Sequence, residues 1–337
     1  MSVIKNNTYL TTKIAIKFQI NPLQTIFLRK TRNFAPCTDK MRIHIFNPEN
    51  DMALADGRRG YTAPASIRAY RKRNWRLPYK WAAPDDIVWD GETPFKDYGI
   101  TDYSDIVICP WGWSKAIVHE LEQAGVPRGL MPSDTRLTQL RTLSSRETTV
   151  AIQTELGLET YACHTIDEIE SILAQEHTGR TYIMKSPWSS SGKGLMTTDN
   201  PNWHQWAKRT LRQQGCVTIE RKMQRERDFA MEFALDGLGT CTYLGLSVFD
   251  TDPHGHYISN HTGPEDEKTR TLLSSHPDQA QTLTAIRRYY IERLPQMAPW
   301  YKGPVGVDML LTPDGVINPC IEINWRMTMG LVAITKQ

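Results

Sequence analysis

The chain reads GPVGVDMLL over residues 303–311, TPDG over 312–315 and VINPCIEINWR over 316–326. Two apolar runs joined by Pro-Asp-Gly predict a β-hairpin, because proline and glycine supply the backbone angles of a tight turn. Glu322 and Asn324 stand two residues apart, so their side chains share one face of the second strand. Asp308 lies across the hairpin and shares that face if the strand register allows it.

Three oxygen ligands on one rigid surface suit Mg²⁺, which keeps several waters and borrows substrate phosphates. Arg326 points the same way and is a candidate to hold a phosphoryl oxygen. The alternative is an ordinary hairpin whose polar residues face solvent, but the apolar neighbours at 320, 321 and 323 predict burial. Two buried acids repel each other, so we expect one to have a raised pKa. For the same reason, Glu322→Gln should leave the metal-free fold as stable or slightly more stable.

A second candidate site begins where an apolar strand, residues 182–185, ends in Lys185. A lysine in this place can reach a nucleotide phosphate, and the small-residue loop after it can close over phosphates with backbone N–H groups. The loop residues concerned are Ser189, Ser190, Ser191, Gly192, Lys193 and Gly194. The pattern differs from the P-loop, because Pro187 stands in place of its first glycine.

The third candidate is a charged segment between two apolar strands. It comprises Glu220, Arg221, Lys222 and Met223, followed by Asp228. Such a linker can present backbone groups to an adenine edge, and an acid beyond it can accept ribose hydroxyl bonds; Glu226 is the alternative acid. Taken alone, the segment is equally typical of a solvated loop.

In this order, the three features resemble the ATP-grasp superfamily. Glu322-Ile323-Asn324-Trp325-Arg326 matches the E-x-N-x-R form of its carbamoyl-phosphate synthetase and biotin carboxylase branches. The helix beginning near Ser144 is similar to the family's S-D-K helix, with Arg146 where a phosphate-binding lysine usually stands and E-L-G-L following at 155–158. The resemblance covers about residues 141–326.

The resemblance implies an α/β fold with an ATP-grasp domain after a small parallel α/β domain, and a ligase that uses ATP and Mg²⁺, with Mn²⁺ as a substitute. ATP phosphorylates a carboxylate, and an amine or another nucleophile attacks the acyl phosphate. The resemblance places Lys185 and Arg326 in catalysis and nucleotide contacts at Arg146 and the loop and linker residues above. Asp308, Glu322 and Asn324 would bind the metal.

Two other functions stay open at this stage. One is a kinase on the same fold, which would leave the phosphate on its substrate. The other is a nucleotide-binding module without turnover, although such a module has no physical reason to keep buried acids. The expected partners are a small-molecule or peptide carboxylate and a nucleophile; a homo-oligomer stays open.

Four segments are expected along the chain. They are a basic extension at 1–40, an α/β domain at 41–140, a central lobe at 141–215 and a C-terminal lobe at 216–337. The first is either a targeting segment or sequence upstream of a true start at Met41, and we expect its deletion to change thermal stability little. Helix-capping signals are the S-x-x-E spacing at Ser144–Glu147 and again at Thr165–Glu168.

The 337 residues are 40% hydrophobic and 23% charged, and no apolar run reaches the roughly 18 residues of a membrane span. Net charge is +3, but residues 1–40 hold seven basic residues against one acid, so the body is mildly acidic and nucleic acid is not an expected partner. Six cysteines without a C-x-x-C pair favour a reducing cytoplasm.

Two polar stretches follow strands of the first domain, where α/β layers bind ligands. They are residues 47–51, NPEND, and residues 111–114, WGWS. Packing is the favoured interpretation for Trp111 and Trp113, and Ser114 is a candidate helix cap. Neither stretch identifies the substrate.

Overall fold

The computed structural model describes residues 40–175, 180–189, 194–251 and 257–335. The basic extension therefore lies outside the described residues, apart from Lys40. The described chain forms three units, each with its own sheet. This mixed arrangement confirms the predicted α/β fold class.

The first unit is a parallel sheet of three strands, in which β1 (Met41–Ile45) lies between β2 (Ile87–Trp89) and β3 (Ile106–Pro110). Its apolar residues pack with Ile117 and Leu121 of one helix and with Leu137 of another, which is the predicted α/β layer. The helices are α1 (Asn50–Asp56), α2 (Ala65–Asn74), α3 (Lys115–Gln123) and α4 (Asp134–Leu143). Ser114 caps α3 by accepting the Ile117 N–H.

The central lobe is an antiparallel sheet of four strands flanked by helices. Its elements are α5 (Arg146–Glu155), β4 (Thr160–Cys163), α6 (Ile166–Gln175), β5 (Tyr182–Lys185), β6 (Leu195–Thr197), α7 (Trp203–Gln214) and β7 (Val217–Arg221). Thr165 and Glu168 form the predicted capping box of α6. For α5 the prediction was wrong by one residue, because Ser145 accepts the Glu147 N–H, while Ser144 closes the preceding helix.

Strand β7 also departs from the expected lobes. We placed it in the C-terminal lobe, but it pairs with β4 and β5 in the middle of the central sheet. Val217 and Ile219 pack there against Tyr182 and Met184. The central sheet therefore extends to residue 221, because burying this apolar face outweighs closeness in sequence to β8.

The C-terminal lobe is an antiparallel sheet in the order β10-β9-β8-β11-β12. Its elements are β8 (Arg227–Asp236), β9 (Cys241–Thr251), β10 (Tyr257–Asn260), α8 (Glu265–Leu272), α9 (Ala280–Met297), β11 (Lys302–Leu311), β12 (Ile317–Asn324) and α10 (Met329–Thr335). One face is the core, where Phe233 and Val307 pack with Tyr290 of α9. The other face carries Glu232 and Asp308, because side chains alternate along each strand.

Short 3-10 helices complete the described residues, at Leu77–Lys80, Phe95–Tyr98, Arg128–Leu130 and Pro277–Gln279. Within the part of the chain that the structure describes, none of the helices has the length and apolar character needed to cross a membrane.

The first unit is joined to the C-terminal tail by a small apolar cluster. Trp111 packs with Phe46, Met327 and Leu331, and the Met327 N–H donates to the Trp111 carbonyl at 2.8 Å. Packing is thus the confirmed role of Trp111. The three units together enclose a cleft of about 1900 Å³.

Candidate active site

The acids of the C-terminal hairpin lie together at the cleft. Asp308 is directly opposite Glu322 in the β11–β12 pair, so both side chains point to the same face. Asn324 Nδ2 donates to Asp308 Oδ2 at 3.0 Å. The register on which the metal-site prediction depended is therefore present.

The two acids differ in their surroundings. Glu322 Oε2 accepts a charged hydrogen bond from Arg146 Nη2 at 2.8 Å. Burial raises the pKa of Asp308 to about 7, and the nearby Glu322 charge adds to the effect. Burial and the neighbouring carboxylate both disfavour the ionised form of Asp308, and a divalent cation stabilises that form. Carboxylate and amide oxygens are the ligands that Mg²⁺ takes. The residues present fit the predicted metal.

Arg146 connects the acid cluster to the loop after β5. Its guanidinium is buried and donates to the Ser186 carbonyl at 2.8 Å and to Ser189 Oγ at 2.6 Å, besides Glu322. Helix α5 begins at this residue, so the side chain projects from the first turn toward the loop. The Arg146 side chain thus contacts both the predicted metal site, at Glu322, and the predicted phosphate loop, at Ser189.

Lys185 and Glu220, predicted as separate nucleotide contacts, form an ion pair. Lys185 Nζ lies 2.5 Å from Glu220 Oε1, and Gln153 Nε2 donates to the other carboxylate oxygen at 2.9 Å. Lys185 is only 5% exposed, and a buried ammonium needs such a partner. The pairing arises because β5 and β7 are neighbours, which the sequence did not show.

Both described ends of the predicted phosphate loop are held by hydrogen bonds. The Ser186 N–H donates to the Gly194 carbonyl at 2.9 Å, and β5 pairs with β6, so the loop joins two neighbouring strands. Gly194 has φ +73°, and a Cβ there would clash with Ser186 Oγ. The predicted residues Ser190, Ser191, Gly192 and Lys193 lie outside the described residues.

The predicted linker runs along the cleft between β7 and β8. Arg221 ends β7, and the Lys222 N–H donates to the Thr181 carbonyl at 3.0 Å. Met223 Sδ accepts a bond from Asn318 on β12 at 3.5 Å. Asp228 lies at the start of β8, and both it and Glu226 line the cleft. The linker therefore spans the two lobes.

Arg326 lines the same cleft but faces the first unit. It makes a two-point ion pair with Asp51, with Nε–Oδ1 at 2.9 Å and Nη2–Oδ2 at 2.7 Å. The Asp51 charge raises the pKa of Arg326 above its ordinary value despite burial. The contact of Arg326 with a phosphoryl oxygen stays a prediction. Its ion pair with Asp51 of the first unit was not predicted from the sequence.

Neither the family models nor the curated proteins contain a sequence match to this chain. Solved structures do match it. N5-carboxyaminoimidazole synthetase from Staphylococcus aureus, complexed with ADP, is 13% identical, with 91% of this chain and 80% of that one covered and a TM-score of 0.50. Biotin carboxylase from Campylobacter jejuni, in a beta-gamma-ATP complex, is 14% identical, with 88% of this chain and 71% of that one covered and a TM-score of 0.50.

A third match is the biotin carboxylase domain of 2-oxoglutarate carboxylase from Hydrogenobacter thermophilus, in complex with MgADP, ADP and bicarbonate. It is 12% identical, with 88% of this chain and 69% of that one covered and a TM-score of 0.50. All three have the architecture of ATP-grasp enzymes. This chain has the ATP-grasp fold.

Within the ATP-grasp cleft, sequence reasoning also assigned no role to Glu232. It is 1% exposed and lines the cleft with Asp308. A signal did exist, because an acid interrupts the apolar strand DFAMEFAL of residues 228–235. Asp51 belongs to the polar stretch at residues 47–51, but no sequence signal connected it to Arg326, which is 275 residues away along the chain.

Proposed function

We propose that this protein is an ATP- and Mg²⁺-dependent ligase that activates a carboxylate as an acyl phosphate for attack by an amine or another nucleophile. One observation carries the proposal: Asp308, Glu322 and Asn324 share one face of a hairpin at the cleft, with Arg146 bound to Glu322. The ATP-grasp fold supports it, since the similar structures were determined with ATP-type nucleotides.

In this function, Asp308, Glu322 and Asn324 would hold the cation, which would supply positive charge to the transferred phosphoryl group. Phosphoryl transfer needs in-line positioning and charge neutralisation more than covalent assistance. Lys185 and Arg146 exchange their carboxylate partners for phosphate oxygens. The linker at residues 220–223 and Asp228 take the adenosine, and the loop at 189–194 keeps water from the acyl phosphate.

In this proposal Arg326 holds a phosphoryl or carboxylate oxygen of the substrate. Because Asp51 contacts two of its nitrogens, the guanidinium is fixed in orientation before a ligand arrives. The first unit thereby takes part in the site and does not merely precede it.

The test is a screen of pooled carboxylic acids with ATP, Mg²⁺ and hydroxylamine, reading ADP and hydroxamate together. An acyl phosphate is trapped as a hydroxamate, so a ligase yields both products with at least one acid. ADP with a stable phosphorylated product and no hydroxamate would identify a kinase instead. Absence of both products with every acid would refute the proposed reaction.

A further inference from the structure

A carboxylate outside the predicted site groups lies on the cleft face of the C-terminal sheet. Glu232 is opposite Gly306 in the β8–β11 pair, while Ala230 is opposite Asp308. Directly opposed residues of antiparallel strands share a face, and so do residues two apart. Glu232 therefore projects from the same face as Asp308, one diagonal step along the sheet.

This carboxyl group is held firmly on one oxygen and not on the other. Thr328 Oγ1 donates to Glu232 Oε1 at 2.8 Å. The Thr328 hydroxyl also accepts the Leu331 N–H at 2.9 Å, which directs its proton toward the carboxyl. Glu232 Oε2 is buried, and none of the described residues offers it a hydrogen bond.

Two glycines leave room for the carboxyl group. A Cβ at Gly306 would come within 2.8 Å of Glu232 Oε2, and one at Gly330 would clash with Oε1. Any side chain at either position would displace the carboxyl group from the cleft. The carboxyl group therefore lies directly against the backbone at these two glycines.

The charges facing Glu232 are those of Asp308 on β11 and Arg326 after β12, the latter already paired with Asp51. Burial raises the pKa of Glu232 to about 8, and Asp308 adds to the rise. A cation that brings its own N–H donors would supply what Oε2 lacks.

We propose that Glu232 binds the protonated amine of the nucleophilic co-substrate. This inference rests on the proposed ligase function and names the class of nucleophile. The diagonal spacing between Glu232 and Asp308, about 7–8 Å between such backbone positions, suits an amine beside a carboxylate activated at the acid cluster. An alcohol or thiol carries no positive charge for a buried carboxylate to balance.

The amine becomes a nucleophile only after it loses a proton. Glu232 Oε2 accepts that proton, and the nitrogen lone pair then forms a bond to the carbonyl carbon of the acyl phosphate. The bond from that carbon to the phosphate oxygen breaks, and phosphate leaves with the electron pair. A second nitrogen proton goes to the phosphate, which leaves an amide, hydrogen phosphate and a protonated Glu232.

A binding experiment tests the charge preference without turnover. Ethylammonium and 1-propanol, which are similar in size, are titrated into the full chain with Mg²⁺ and a non-hydrolysable ATP analogue, and binding is followed by saturation-transfer NMR. We expect wild type to prefer ethylammonium and Glu232→Gln to bind it at least about tenfold more weakly, with 1-propanol binding unchanged.

Asp250→Asn is the matched control, because it removes one negative charge from the rim of the same cleft, where Asp250 is 44% exposed. It should bind ethylammonium like wild type. Glu232→Met provides a second variant if the Gln form does not fold. Equal ethylammonium binding by wild type and the Glu232 variants would overturn the proposal, as would no preference over 1-propanol in wild type. Weakened Mn²⁺ binding in Glu232→Gln would assign the residue to the metal instead.

A kinetic experiment separates this proposal from the ligase function itself. With an acid found in the hydroxylamine screen, Glu232→Gln should raise KM for the amine and lower its kcat, yet keep hydroxamate formation. Hydroxylamine is neutral near pH 7 and needs no carboxylate to accept a proton first. Equal losses with both nucleophiles would overturn the assignment of Glu232. Failure of every acid would refute the ligase and leave the ethylammonium result standing.

Discussion

The two walls of the cleft balance their charges in different ways. On the central-lobe wall, Lys185 is paired with Glu220, and Arg146 reaches across to Glu322. The opposite wall, called the sheet wall, is the cleft face of the C-terminal sheet. There, Asp308 and Glu232 have no ion pair among the described residues, and burial raises the pKa of both. The buried cations of the first wall are paired before any ligand arrives, whereas the second wall carries two buried acids that lack such a partner among the described residues.

This difference indicates what each wall is suited to bind. A polyanion such as a nucleotide can take over Lys185 and Arg146, because their carboxylate partners lie beside the predicted metal and adenosine sites. The sheet wall gains most from cations, a metal at Asp308 and an amine at Glu232. Substitutions of charged residues on the two walls test this contrast.

The largest effect is expected from Glu322→Gln, which affects both walls at once. The substitution keeps the side-chain shape but removes a metal ligand and the charge opposite Arg146. We expect Mg²⁺-dependent turnover to fall by about 100-fold or more. The measurement is ADP formation with the acid identified by the hydroxylamine screen, together with Mn²⁺ binding by electron paramagnetic resonance. Asp250→Asn serves again as the control, and wild-type turnover in Glu322→Gln would end the metal assignment.

A smaller effect is expected from Lys185→Met on the central-lobe wall. A charged hydrogen bond to phosphate contributes about 1.5–3 kcal/mol, so ATP should bind about 10- to 150-fold more weakly by calorimetry. The variant also leaves Glu220 without its cation and should lose stability. Adding Glu220→Gln should restore part of that stability without restoring ATP binding. Unchanged nucleotide affinity in Lys185→Met would contradict the role.

The smallest effect is expected from Asp308→Asn on the stability of the metal-free protein. The folded-state pKa near 7 exceeds that of an unfolded aspartate, so wild type loses stability as pH rises from about 4 to 7. The Asn variant avoids this loss and should be about 1–2 kcal/mol more stable at pH 8, with the advantage gone near pH 4. Urea unfolding at pH 4 and pH 8 measures the difference in unfolding free energy between Asp308→Asn and wild type. An equal difference at the two pH values would exclude the ionised carboxylate as the cause.

That last expectation replaces one drawn from sequence. Two acids on one face led us to expect relief from Glu322→Gln, but Arg146 already balances Glu322. The unbalanced member is Asp308, which has Asn324 as its hydrogen-bond partner. Sequence spacing located the pair correctly, and only the position of α5 showed which acid carries the unfavourable charge.

Local patterns determined much of this protein. Alternation along residues 303–326 was sufficient to predict the hairpin and its polar face, since side chains of a strand must alternate and Pro-Asp-Gly must turn. The Thr165 capping box and the strand ending in Lys185 were readable for the same reason, because each depends on residues close in sequence. The order of these features was sufficient to suggest the ATP-grasp fold.

Tertiary structure decided the pairings between distant segments. The place of β7, the Lys185–Glu220 and Arg326–Asp51 ion pairs and the unpaired Glu232 oxygen all depend on which elements become neighbours. Those neighbours are chosen by burying apolar faces of whole sheets, a sum over many residues that no single motif expresses. Charged side chains then take the partners that this packing places within reach, because a buried charge without one is too costly to keep.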